Sequence, residues 1–226
     1  MTSALETMLS LPEDQSVLKG QFLSWLTRRQ RAHAPVVEDA LDALYDARDG
    51  NLNEACLARL QRGLELSGGL SYPLAEHVCA LAAGEPRLRA LLLRLGEHRL
   101  ASVRRNVMMF CLHDGPDETM SKLLVRGLSD RSKAVRLKAA DVILRTERRE
   151  LKEHVRLRGN QEPDRSLAET LRLIFGLLDR NWYRRPNGES IAVYHPRGGI
   201  SGLFVIPGED EPSLERRVAE LRALRA

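Results

Sequence analysis

Three acid–histidine neighbours, Glu76-His77, Glu97-His98 and Glu153-His154, come closest in this sequence to a metal-binding or proton-transfer pattern. Adjacent residues on a helix project about 100° apart, so no such pair closes on one ion by itself. Their separations of 21 and 56 residues do not add the spacing a joint site would need. They read as histidines on helix surfaces. His113-Asp114 falls where a helix is expected to end, which suits capping better than catalysis. Gly198-Gly199-Ile200-Ser201-Gly202 could cradle an anion, but a hairpin turn accounts for it with less. The sequence has no Gly-x-x-x-x-Gly-Lys, no His-Glu-x-x-His, no Cys-x-x-Cys and no Gly-x-Ser-x-Gly. No catalytic residue, metal site or cofactor is predicted, and the balance falls against an enzyme.

Charge offers a second kind of chemistry. The net charge of +4 hides an uneven distribution: residues 99–158 carry 15 basic side chains against 8 acidic ones, while the flanking regions are balanced or slightly acidic. If the cations of this block share a surface, they form a ridge suited to phosphate backbones or to an acidic protein. Lys133, Lys138, Arg145 and Arg148 are the expected solvent-facing contacts. Phe110 is the one ring in the block, so the aromatic stacking used on single strands is missing.

The elements that would position these residues are helical. The chain of 226 residues is 43% hydrophobic and only 4% aromatic, a composition richer in Leu and Ala than β-sandwiches use. Apolar stripes with helical spacing predict helices at about 13–32, 35–48, 52–66, 72–83, 86–95, 99–113, 117–128, 131–146, 147–158 and 165–179. Breaks such as Ser67-Gly68-Gly69 and Asp114-Gly115-Pro116 separate several of them. From residue 182 the pattern changes. Trp182-Tyr183-Arg184-Arg185, the Pro186-Asn187-Gly188 turn, Glu189–Tyr194, the Gly198-Gly199 turn and Ile200–Ile206 predict a small β-meander, followed by an amphipathic helix at 213–225. The meander has two readings, a cap on the helical array or a docking site in which Trp182, Tyr183, Arg184 and Arg185 take part.

The segment 91–112 aligns without a gap on 123–144, an offset of 32 residues that places Val103-Arg104 on Val135-Arg136 and Leu112 on Leu144. Leu128-Ser129-Asp130, then Ala134-Val135-Arg136, then Ala139-Ala140, resembles the HEAT repeat. The match is good over 117–146, fair over 86–113 and topological elsewhere. The resemblance implies an α-solenoid of stacked helical hairpins, with Arg136 pairing the turn aspartate Asp130 and Arg104 in the equivalent place. It also brings two enzyme classes into view. The HEAT-like DNA glycosylases need an aromatic-lined acidic cleft, which Trp25 and Trp182 alone do not supply. The HEAT-repeat iron hydroxylases use His-Glu pairs, the reverse of the order found here.

The expected organisation is an N-terminal helical segment (1–32), HEAT-like repeats (33–180), a β-meander (181–207) and a C-terminal helix (208–226). Cys56, Cys79 and Cys111 are odd in number and lie in apolar helical settings, which predicts buried free thiols and a reducing compartment. No stretch has the length or hydropathy of a membrane span or a signal peptide, so a cytoplasmic protein without membrane contact is expected. The function expected is binding of a protein partner, as an adaptor, assembly factor or immunity-type protein. The alternative is nucleic-acid binding through the basic 99–158 block, with a glycosylase relative as its sharpest form.

Overall fold

The structure is a computed structural model that describes residues 14–26, 30–66, 71–112, 118–195 and 199–224. Residues 27–29 of the helix expected at 13–32, the Ser67-Gly68-Gly69 and Asp114-Gly115-Pro116 breaks, His113 and Gly198 lie outside these residues, as do the side chains of Trp25 and Phe110. The described residues are mainly helical, with eleven α-helices and one three-stranded antiparallel sheet. No helix among them is long and apolar enough to cross a membrane. The chain divides into two compact units, Met1–Gly115 and Pro116–Ala226.

The first unit contains α1 (Gln15–Trp25), α2 (Ala34–Arg48), α3 (Glu54–Leu64), α4 (Ser71–Ala82), α5 (Pro86–Leu95) and α6 (Ala101–Val107). Short polar side chains start several helices. Asp14 accepts from the Ser16 N–H at 2.8 Å, Asn53 from Cys56 at 2.9 Å and Glu85 from Arg87 at 3.0 Å. Each such cap satisfies a donor the helix cannot, worth about 1 kcal/mol. The long helix expected at 13–32 is divided. Leu26 is extended and buried, and α2 opens separately behind Pro35, whose fixed φ suits a first turn. The helix expected at 99–113 ends at Val107 and tightens into a 3₁₀ segment, Met108–Leu112.

Helices α2 and α3 pack closely at Gly63, where an added Cβ would lie 2.5 Å from Ala40 Cβ. Leu41, Leu44, Leu60, Leu88, Leu92 and Met108 are fully buried. Helix α2 also packs on α4, and α3 on α5. Asn106 Nδ2 donates to Ser71 Oγ at 3.0 Å, and both residues are buried.

The second unit contains α7 (Glu118–Leu128), α8 (Lys133–Arg145), α9 (Lys152–Gln161), α10 (Arg165–Arg180), β1 (Trp182–Arg184), β2 (Ser190–Tyr194), β3 (Ile200–Phe204) and α11 (Glu211–Ala223). The helix expected at 147–158 instead begins as a 3₁₀ turn, Arg149–Leu151, and runs on to Gln161. Helix α7 pairs with α8 and α9 with α10, while α8 packs on α10 and α7 on α9.

The 32-residue offset recurs as hydrogen bonding. Arg104 Nη1 donates to the carbonyls of His98 (2.7 Å) and Arg99 (3.0 Å), and Arg136 Nη1 donates to those of Asp130 (2.9 Å) and Arg131 (3.2 Å). Both arginines are buried, each closing the turn in front of its own helix. The expected pairing of Arg136 with Asp130 is made through the Asp130 carbonyl, while Asp130 Oδ1 accepts from the Ser132 N–H at 2.7 Å.

The carboxylate that Arg136 finds is Glu162, with Nη2 to Oε1 at 2.6 Å and Nε to Oε2 at 2.8 Å. Arg158 donates to the same Oε2, and the Asp164 N–H to Oε1. Burial alone would push the Glu162 carboxyl up, but the bonds from Arg136, Arg158 and Asp164 and the Arg136 charge outweigh it and hold it below its ordinary value. A lowered folded-state value means stability that is present above the ordinary glutamate range and lost as pH falls through the lower folded one. Glu162→Gln leaves Arg136 buried without its counter-ion and should cost about 3 kcal/mol near pH 7. Urea unfolding followed across pH will show the gap between variant and wild type shrinking toward pH 3. An undiminished gap at acid pH would refute the assignment.

Candidate functional site

The C-terminal part of the second unit is three layers deep. Strand order is β1-β2-β3, with Trp182 opposite Val193, Ile191 opposite Leu203 and Tyr194 opposite Ile200. Alternate residues face opposite sides of a sheet. One side carries Trp182, Ile191, Val193, Leu203 and Val205, which pack with Leu214, Val218 and Leu221 of α11. The other side carries Tyr183, Ala192 and Tyr194, and β1 and β2 lie against α10. Close approach there depends on Gly176, since an added Cβ would stand 2.7 Å from the Tyr183 ring. The Asn187-Gly188 turn joins β1 to β2 with Gly188 at φ +73°, a backbone conformation that favours glycine.

Strand β3 lies at the edge of the sheet and leaves apolar side chains uncovered. Ile200, Phe204 and Ile206 are 49%, 81% and 53% exposed and fall on one face of the same extended run. The run Ile200–Ile206 has no charged residue and no proline, the usual devices that discourage strand pairing at an edge. The Val205 N–H donates to Glu189 and the His195 N–H to Gly199, so odd-numbered positions of this run turn their backbone groups toward β2. Ile200 and Gly202 therefore direct theirs to the open edge. The far end is closed by Glu209, which accepts from the Ile206 N–H and from Arg217, while Arg217 also reaches the Phe204 carbonyl at 3.2 Å. Ser201 Oγ lies 2.7 Å from His195 Nε2, a side-chain contact between β3 and the residue after β2.

The residues singled out from the sequence do not converge. Lys133 pairs with Asp164 at 2.7 Å and Lys138 with Asp141 at 3.2 Å. Arg148, expected to face solvent, is 3% exposed, a correction that follows from its place in the tight turn after α8, where Nη1 reaches Ser121. Arg145 is exposed at the end of α8. Trp182 is core, with the Arg180 guanidinium 4.4 Å from the ring centroid, and Tyr183 is half-buried. Arg184 and Arg185 face solvent at the first turn.

Sequence reasoning missed Ile200, Phe204 and Ile206 as a surface, although the run ISGLFVI is apolar on both of its faces and so had one face to spare. It also passed over Arg149 and Arg222. Elsewhere, α3 and α5 enclose a groove of about 300 Å³, whose polar groups already pair across it: Arg87 with Glu54 at 2.5 Å and Arg94 with Gln61 at 2.8 Å. The acid–histidine pairs lie on separate elements, and no group of three His, Cys, Asp or Glu among the described residues is placed to hold a metal ion. No protein family model, curated protein or solved structure matches this chain.

The contrast between the sheet's covered and open positions is measurable. Phe204→Thr should change unfolding free energy by no more than about 0.5 kcal/mol, as at other exposed positions. Trp182→Ala, at the centre of the α11 interface, should cost about 3 to 5 kcal/mol. Comparable losses from both would show that Phe204 is buried in the folded protein.

Proposed function

We propose that this protein is a non-enzymatic scaffold of HEAT-like helical hairpins that binds a protein partner by accepting an extended segment of it along β3. The repeat part of the reading is supported by the matching carbonyl bonds of Arg104 and Arg136, at positions 32 apart. The observation that carries the binding part is the open row of Ile200, Phe204 and Ile206 on an uncharged edge strand. Strand addition draws affinity from main-chain hydrogen bonds and specificity from alternate side chains, which is what such an edge offers.

The size of the row argues for an extended segment over a second folded copy. Three side chains of at most about 200 Å² each fall short of the roughly 800 Å² per partner of a standard interface. The basic-ridge alternative draws less support, because Lys133 and Lys138 are neutralised by Asp164 and Asp141 and Arg148 is inside.

Two substitutions separate this reading from a merely sticky surface. Phe204→Asp removes the apolar row, and Gly202→Pro removes an outward N–H at a place where an edge strand tolerates proline. A partner captured with wild-type bait, then purified and rebound, should form a stoichiometric complex that each substitution weakens at least about tenfold, a loss of main-chain and apolar contacts together. Unchanged affinity of both variants for the purified partner would refute strand addition. So would a wild-type dimer in sedimentation that Gly202→Pro dissociates, since the occupant would then be a second copy.

A further inference from the structure

Many arginines and lysines of the second unit have a carboxylate beside them. Lys122 has Glu118, Lys133 has Asp164, Arg136 and Arg158 share Glu162, Lys152 has Asp179, and Arg180 and Arg217 have Glu211 and Glu209. Arg145, Arg149 and Arg222 are among those that do not. Arg145, at the end of α8, forms no hydrogen bond or ion pair among the described residues. Arg149 bonds through Nη2 to the amide oxygen of Asn181, and Arg222, near the end of α11, donates from Nε to the Tyr194 carbonyl at 3.0 Å.

These anchors are linked, because the Tyr194 N–H donates to the Asn181 carbonyl at 2.9 Å. Arg149 and Arg222 are thus held at either end of one backbone bridge, by neutral acceptors that leave their charge whole. Arg145 stands four residues before Arg149.

Three further observations fall on the same spot. Tyr194 is buried, and its hydroxyl has no hydrogen-bond partner among the described residues. Burial pushes the phenol up, the Glu147 charge adds to this, and the charges of Arg145, Arg149 and Arg222 oppose it, so four charges act on one side chain. Glu147 forms no ion pair with any of them. It is also one of the two non-glycine residues with positive φ among the described residues, at +51°, and the other is Asn181 at +67°. Asn181 is the left-handed cap that ends α10, whereas Glu147 holds a backbone conformation that non-glycine residues rarely adopt. Helix C-termini attract cations, which explains why arginines sit here but not why three are held together without a carboxylate.

We propose that Arg145, Arg149 and Arg222 form a binding site for a terminal phosphate group, at the turn after α8 where β2 and α11 end. Guanidinium forks match the geometry of phosphate oxygens, and two of the three are already fixed in place. The site is point-like. Lys133 and Lys138 are paired with Asp164 and Asp141 and so add little to a track for a nucleic-acid backbone. A doubly charged phosphomonoester fits three cations better than a long polyanion does.

The test titrates the intact protein with inorganic phosphate and, separately, phenyl phosphate at constant ionic strength, reading the arginine Nε–H resonances. Saturable shifts with half-saturation at or below about 5 mM are expected, the range of a few charge-assisted hydrogen bonds in water. Arg145→Gln/Arg149→Gln should weaken binding at least about tenfold, and Arg185→Gln, which removes a solvent-facing charge at the first turn of the sheet, by less than about twofold. Chloride in place of phosphate should give no saturable shift. The proposal falls if phosphate gives none up to about 50 mM, if Arg185→Gln matches the double variant, or if duplex DNA binds more tightly with a steep salt dependence that the double variant keeps. Unchanged thermal unfolding of the double variant will separate loss of the site from loss of the fold.

Discussion

Arg136 and Glu162 are taken out of water together, and neither is tolerable there alone. Their bidentate bond ties the first turn of α8 to the end of α9, and Arg158 and the Asp164 N–H complete the coordination of the carboxylate. Asp164 in turn caps α10 through Leu167 and pairs with Lys133. One buried carboxylate thereby sets where α8, α9 and α10 stand. Because β1 and β2 lie on α10, the position of the sheet and of everything at its edge is inherited from that bond.

Much of this was legible in the sequence, and the reasons differ by element. Helices such as 86–95 and the strands after 182 follow from the period of their apolar residues and from the Asn187-Gly188 turn. These are local properties. The repeat was legible as Val-Arg at 103–104 and 135–136, but the partner of the arginine was not. Asp130 is near in sequence and Glu162 is 26 residues beyond Arg136, and only the stacking of α8 on the next hairpin brings Glu162 within reach. Arg148 was misread for the same reason, since a charged residue in the first turn of an expected helix is exposed unless another element closes over it.

The basic block shows how a count of charges differs from a field. Fifteen cations over sixty residues suggest a ridge, yet at least seven of the twelve in the second unit have a carboxylate beside them, from their own helix or from another. What survives is set by which side chains find amide or carbonyl oxygens in place of carboxylates. That selection depends on tertiary packing around Asn181 and Tyr194, and no window along the chain contains it.

All three cysteines of the chain lie in the first unit, and all are buried, with the Cys56 thiol donating to the Ala43 carbonyl and burial pushing the Cys79 thiol well up. The first half of the molecule therefore carries a natural clock of its own. An alkylating reagent can react only when the first half opens, so the rate at which mass is added counts its excursions and those of no other part.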